Sequence, residues 1–236
     1  MDFDRILFYG LPLLLVVWTF VGRYRYQRLK KLVLAGQREV LIRMYMSTVA
    51  GEAVGSAMAI GAVGGAILSV EPAFRVGTIL GLFELLGCLG GGVVLGLVLR
   101  RFRKPSTKKR KPVTDVAALL PLSAVERRWF ALLCLGAGVG EELIFRGFGL
   151  RFLNSLGLSG LALLGVGAVL FGLAHSYQGI VGVLLTGVIG LVLGVVYVDS
   201  GSLLWAMLVH FLFDLRILLI PADTIRELQS ASAAEV

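Results

Sequence analysis

Seven predominantly apolar stretches of about 17–27 residues punctuate the chain, each near the ~20 residues an α-helix needs to cross a bilayer. They fall at residues 6–22, 53–70, 76–99, about 124–150, 157–175, 179–198 and 202–220. Composition agrees: 57% of the residues are AVILMFWYC, 31 are glycine and only 16% are charged. A soluble domain has about 45–50% apolar residues, glycine included, and about 25% charged ones. Its interior could not hold so many apolar side chains. A disordered chain and a disulfide-stapled secreted domain are excluded too, because Cys88 and Cys134 both lie inside apolar runs with no CxxC spacing. The expected fold is all-α, a polytopic membrane helix bundle of seven to eight transmembrane helices.

The net charge of +8 is local. Arg100, Arg101, Arg103, Lys104, Lys108, Lys109, Arg110 and Lys111 carry it in a segment without acids. Such a segment reads as a cytoplasmic loop obeying the positive-inside rule, with access to anionic lipid headgroups, and nucleic acid is not an expected partner. A second basic stretch, from Arg23 to Arg43, is expected to form an amphipathic helix on the membrane surface. Two spans separate the two segments. Both therefore face the cytoplasm, with the N-terminus outside and the C-terminus inside. The first run follows acidic Asp2 and Asp4 and has no small-residue cleavage site, so it reads as a retained span. Three regions follow: spans and basic loops over 1–121, a polar-studded bundle over 122–220, and a polar tail over 221–236. Ser123 and Glu126 form a capping-box pattern that opens a helix. Glycine pairs four apart, Gly87/Gly91, Gly92/Gly96 and Gly190/Gly194, suit close helix packing in lipid.

Ionisable residues in such runs cost several kcal/mol each on insertion scales, about 2.5–3.5 for Asp, Lys or Arg at a helix centre. They need a partner or a function. Glu84 stands alone in the first half; Glu141, Glu142, Arg146, His175, His210 and Asp214 cluster in the second. Glu142 and Arg146 are four apart with the acid first, the favoured ion-pair order. Glu141 is turned about 100° away by the helical period, so Arg146 does not obviously pair it, and it suits proton transfer. Phe171 and His175 share one helix face, and so do His210 and Asp214.

Glu141-Glu142-x-x-x-Arg146, Phe171-x-x-x-His175 and His210-x-x-x-Asp214, in this order on successive apolar helices, resemble the three motifs of the CPBP family of CAAX proteases and bacteriocin-processing enzymes. The resemblance covers about residues 122–220. It implies an intramembrane endopeptidase of the type II CAAX prenyl endopeptidase kind, acting on a lipidated or membrane-associated peptide. Glu141 with His175 would activate water, Glu142 and Arg146 would organise the site with Phe171, and His210 and Asp214 would serve the oxyanion. Many members carry Asn where this chain has Asp214. An ionised Asp cannot donate a hydrogen bond, so Asp214 is expected to orient His210 or to be protonated itself. Family members have been described both as zinc enzymes and as glutamate-type enzymes. Glu141, His175 and His210 could supply zinc ligands, and no HExxH forces the choice; the expected mechanism is the metal-independent, glutamate one.

Three rival readings stand beside this one. Gly157-Leu158-Ser159-Gly160 has the form of the rhomboid serine-protease motif, with His210 as its base. Glu84 and the histidines could form a proton relay in a transporter, although no internal repeat supports one. A scaffold or immunity protein could keep the fold without turnover. The expected location is a prokaryotic cytoplasmic membrane, with lipids as partners.

Overall fold

The computed structural model describes residues 3–71, 74 and 116–233. Glu84, Cys88, the run 76–99, the basic segment 100–112 and the Gly87/Gly91 and Gly92/Gly96 pairs lie outside them. The described residues are helical in nearly every element: α1 (Phe3–Leu34), α2 (Glu39–Val63), a 3-10 turn (Gly64–Leu68), a short 3-10 turn (Ala117–Leu119), α3 (Ala124–Glu141), a π-helical segment (Glu142–Gly149), α4 (Leu150–Ser155), α5 (Gly160–Ala174), a 3-10 turn (Ser176–Gln178), α6 (Gly179–Ser200), α7 (Leu203–Leu215), a 3-10 turn (Arg216–Leu219) and α8 (Ala222–Ala233). Among these residues the only β pairing is one antiparallel bridge, Ser69 to Ser202.

The first two helices differ from expectation. The basic residues from Arg23 to Lys31 do not form a separate surface helix; they extend α1 without a break. Arg, Gln, Leu and Lys are good helix formers, so nothing in 23–34 stops propagation. A helix of 32 residues is about 48 Å long at 1.5 Å per residue, against about 30 Å of hydrocarbon, so its basic end reaches beyond the acyl chains. The chain turns at 35–38 and re-enters helix at Glu39, fourteen residues before the uncharged run begins.

Three described helical stretches are long and apolar enough to span a membrane: Asp4–Leu34, Glu39–Leu68 and Ser176–Ser200. A fourth counts if the pair Leu203–Leu219 and Ala222–Ala233, bent by 88°, is taken as one span. Three or four spans are thus found among the described residues, which do not include the expected span 76–99. The stretch 124–150 is helical throughout but carries six charged side chains, Glu126, Arg127, Arg128, Glu141, Glu142 and Arg146. The stretch 157–175 yields only the 15-residue α5. Leu13, Phe20, Ile180 and Leu184 turn outward from α1 and α6. Apolar rows of this kind on helix exteriors suit lipid rather than water as the solvent.

The helices are pinned at one end by Arg38. Its guanidinium donates to both Glu126 carboxylate oxygens, at 2.8 and 2.7 Å, to the Leu120 carbonyl at 3.2 Å and to Gln229 Oε1 at 3.1 Å. Glu126 is also the N3 member of the capping box: Ser123 Oγ accepts from the Glu126 N–H at 3.2 Å, and Glu126 Oε2 accepts from the Ser123 N–H at 3.1 Å. One arginine thus ties the α1–α2 turn to the start of α3 and to α8. At the other end Arg151 donates to the Gly147, Ala66 and Ser69 carbonyls and pairs with Glu71 at 2.9 Å. Between these anchors α3 packs on α2 and α7, and α5 packs on α6. That frame brings the polar residues of four elements to one place.

Candidate active site

The site forms where α3 gives way to the π-helical segment. Glu141 is the last α-helical residue and Glu142 the first of the wider turns. Short π segments inside helices are rare and frequently mark functional sites. Here the segment carries Glu142 and Arg146, both buried, whose Oε1 and Nη1 meet at 2.8 Å. Arg146 Nη2 donates to the Gly190 carbonyl on α6 at 2.8 Å. Its guanidinium also lies over the Phe171 ring, 4.3 Å from the centroid. A cation held by a carboxylate, a carbonyl and an aromatic face has little remaining desolvation penalty.

Gly190 makes this contact possible. A Cβ there would stand 2.9 Å from Phe171 Cδ1. Without one, α6 approaches α5 closely enough for its backbone oxygen to reach Arg146. Phe171 in turn packs against His175 and His210, with ring centroids 4.7 and 6.0 Å away.

His175 follows the last residue of α5. Its Nδ1 lies 2.8 Å from the Phe171 carbonyl. A carbonyl only accepts, so Nδ1 carries the proton and, in the neutral ring, Nε2 keeps a lone pair. That Nε2 faces Glu141 Oε2 at 3.7 Å. His210, buried on α7, places Nδ1 2.8 Å from Glu142 Oε1. Its Nε2 lies 3.5 Å from Asp214 Oδ2 and 3.9 Å from Glu141 Oε2. The seven residues of the three motifs, Glu141, Glu142, Arg146, Phe171, His175, His210 and Asp214, therefore converge. The two adjacent glutamates diverge as helical geometry requires: Glu142 is committed to Arg146 and His210, while Glu141 Oε2 is buried with no hydrogen-bond partner.

Among the described residues no three His, Cys, Asp or Glu side chains are grouped so as to hold a metal ion. In the set Glu141, His175 and His210, both imidazole Nε2 atoms face Glu141 Oε2, at 3.7 and 3.9 Å. His210 is oriented by Glu142, and its Nε2 stands nearer to Asp214 than to Glu141.

Ser159 lies far from this chemistry. It precedes α5, whereas His175 follows it. Fifteen intervening residues at 1.5 Å each separate them by about 20 Å. A serine at that end cannot use His210 as its base.

The sequence reading passed over Glu52. This acid sits mid-way along α2, just before the uncharged run, and its Oε2 is buried with no hydrogen-bond partner. Its position inside a 25-residue apolar helix was the available signal, of the same kind that marked Glu84. Tyr177 was passed over too; its ring lies 5.9 Å from that of His175. Among the described residues the site opens into a largely apolar cavity of about 2290 Å³, lined by Glu52, Glu141, His175, His210 and Asp214 at its polar end and by α1 residues such as Trp18 elsewhere.

The class defined by this fold is an all-helical integral membrane protein with a buried acid–histidine site. Residues 124–216 match the family described as Type II CAAX prenyl endopeptidase Rce1-like, the family that the three motifs resemble. At that level the match supports a peptidase. No curated protein and no solved structure matches the chain.

Proposed function

We propose that the protein is an intramembrane endopeptidase of the CAAX prenyl protease and bacteriocin-processing type, hydrolysing a peptide bond of a lipidated or membrane-associated substrate with a glutamate-activated water. One observation carries the reading. Glu141 Oε2 is a buried acceptor without a donor, and two imidazole Nε2 atoms stand 3.7 and 3.9 Å from it. These gaps are too long for direct hydrogen bonds and right for a bridging water.

In this mechanism Glu141 and His175 Nε2 hold the water, and Glu141 accepts its proton as oxygen attacks the scissile carbonyl carbon. The carbonyl electron pair moves onto oxygen, where His210 Nε2–H donates to the oxyanion. Collapse re-forms the carbonyl, breaks the C–N bond and returns the proton from Glu141 to the leaving amine. Glu142 takes the Nδ1–H of His210, and with Asp214 facing Nε2 it favours the imidazolium, the form whose Nε2–H can donate. Asp214 orients the same ring, consistent with an acid where many family members have Asn. Phe171 and Arg146 hold both histidines in place. The large apolar cavity next to the polar end suits a substrate whose lipid chain stays in hydrocarbon while its peptide reaches the carboxylates.

The test is incubation of the purified full-length protein, in detergent or liposomes, with a farnesylated reporter peptide and its unlipidated twin, with products read by mass spectrometry. Internal cleavage of the farnesylated peptide is expected. Cleavage of neither peptide, with the protein folded, contradicts the reading.

A further inference from the structure

Four buried side-chain atoms among the described residues have no hydrogen-bond partner: Glu52 Oε2, Glu141 Oε2, Glu142 Oε2 and Arg151 Nε. Two of these are compensated. Arg151 Nε faces Glu71 Oε1 at 2.9 Å, and Glu142 spends its other oxygen on Arg146 and His210. Glu52 and Glu141 remain, two acceptors without donors, on different helices and lining the same cavity.

Glu52 is pressed onto α3 at the residue before Glu141. A Cβ built on Gly140 would fall 2.6 Å from Glu52 Oε2 and 2.8 Å from its Cβ. Any larger residue at 140 would push the carboxylate away, so the glycine is what admits it. Electrostatically, Glu52 feels both Glu141 and His210. A carboxyl group left without a donor in an apolar helix lowers stability. Leucine would serve α2 better as a packing residue, so structure alone gives no reason for an acid here.

We propose that Glu52 is a second carboxylate on the attacking water. This rests on the reading of Glu141 as general base. A water molecule has two O–H donors, and the site offers two orphaned carboxylate oxygens, from α2 and from α3. With one hydrogen on Glu141 and the other shared between Glu52 and His175 Nε2, the water is fixed in orientation and a lone pair is left for the scissile carbonyl. Glu141 then takes its proton as the O–C bond forms and the carbonyl pair moves to oxygen. Glu52 keeps the second O–H aligned, and no proton is transferred to it. When the C–N bond breaks, the proton on Glu141 passes to the amine, and the remaining hydroxyl hydrogen leaves with the new carboxyl product. The N-terminal half of the chain, outside the matched residues 124–216, would thus supply part of the chemistry.

The experiment compares Glu52→Gln, Glu52→Leu and Glu52→Asp in the full-length protein, measuring kcat and KM on the farnesylated reporter together with thermal unfolding. Glu52→Gln and Glu52→Leu are expected to lower kcat by about ten-fold or more with KM within about two-fold. Both should unfold at the wild-type temperature or above it, because an uncompensated buried acid has been removed. Glu52→Asp should retain more activity than Glu52→Leu. A kcat within about two-fold of wild type in Glu52→Leu overturns the proposal, and so does a lower melting temperature in Glu52→Gln, which would mark a structural role. Glu141→Gln run in parallel separates the two claims. Full activity there removes the general base and Glu52 with it; loss there but none at Glu52 removes Glu52 alone.

Discussion

His210 Nδ1 lies 2.8 Å from Glu142 Oε1, the same oxygen that accepts from Arg146 Nη1. Glu142 therefore belongs to the scaffold of the site: it fixes one imidazole and neutralises one guanidinium. The neighbouring glutamate has the opposite character, a buried oxygen with no donor. The first prediction follows from this difference. Glu142→Gln leaves Arg146 buried without its counter-charge, and breaking a buried ion pair costs about 3–5 kcal/mol. Its melting temperature should fall clearly below wild type, measured by thermal unfolding in detergent, along with activity. An unchanged melting temperature would show that the pair does not hold the helix.

Gly190→Ala tests how the site is assembled. The new Cβ would meet Phe171 Cδ1 at 2.9 Å, displacing the ring that Arg146 and both histidines pack against. Overpacking of this kind costs about 1–3 kcal/mol, so both stability and turnover should drop. Gly165→Ala on α5 is the control: a Cβ there meets nothing within 4 Å, and alanine is the better helix former by about 1 kcal/mol. It should be neutral or slightly stabilising. Equal effects at the two positions would contradict the packing account.

Much of the site could be read from the sequence because charge in apolar helices is conspicuous. Glu141, Glu142, Arg146, His175, His210 and Asp214 stood out for this reason, and Glu142–Arg146 was a pair by spacing alone. The capping box of Ser123 and Glu126 was equally local. Other features were hidden for physical reasons. The change of hydropathy at Arg23 reports what surrounds the helix, not whether the backbone continues, so α1 runs straight through it. The π-helical turns over 142–149 have no composition signature. Glu52 escaped notice because it lies at the seam between a mixed segment and an uncharged run, and only the packing of α2 on α3 brings it to the site. Apolar length alone also hides the charges within 124–150 and the turns that leave α5 only 15 residues long.

Topology gives a further prediction, resting on charge alone. Two basic segments separated by two spans should both face the cytoplasm. Cysteines introduced as Ser106→Cys and Ser230→Cys, in a background lacking Cys88 and Cys134, should resist an impermeant maleimide in intact cells and react after permeabilisation. Labelling of Ser106→Cys from outside would invert the arrangement.

The most direct measurement of the central claim is the turnover of Glu141→Gln on the farnesylated reporter, set beside its melting temperature. Glu141 Oε2 has no hydrogen-bond partner to lose, so the isosteric amide should leave folding at the wild-type level. As the group that takes the water's proton, its loss should cost at least ~10²–10⁴-fold in kcat. A folded Glu141→Gln protein that cleaves the reporter at the wild-type rate would contradict the account.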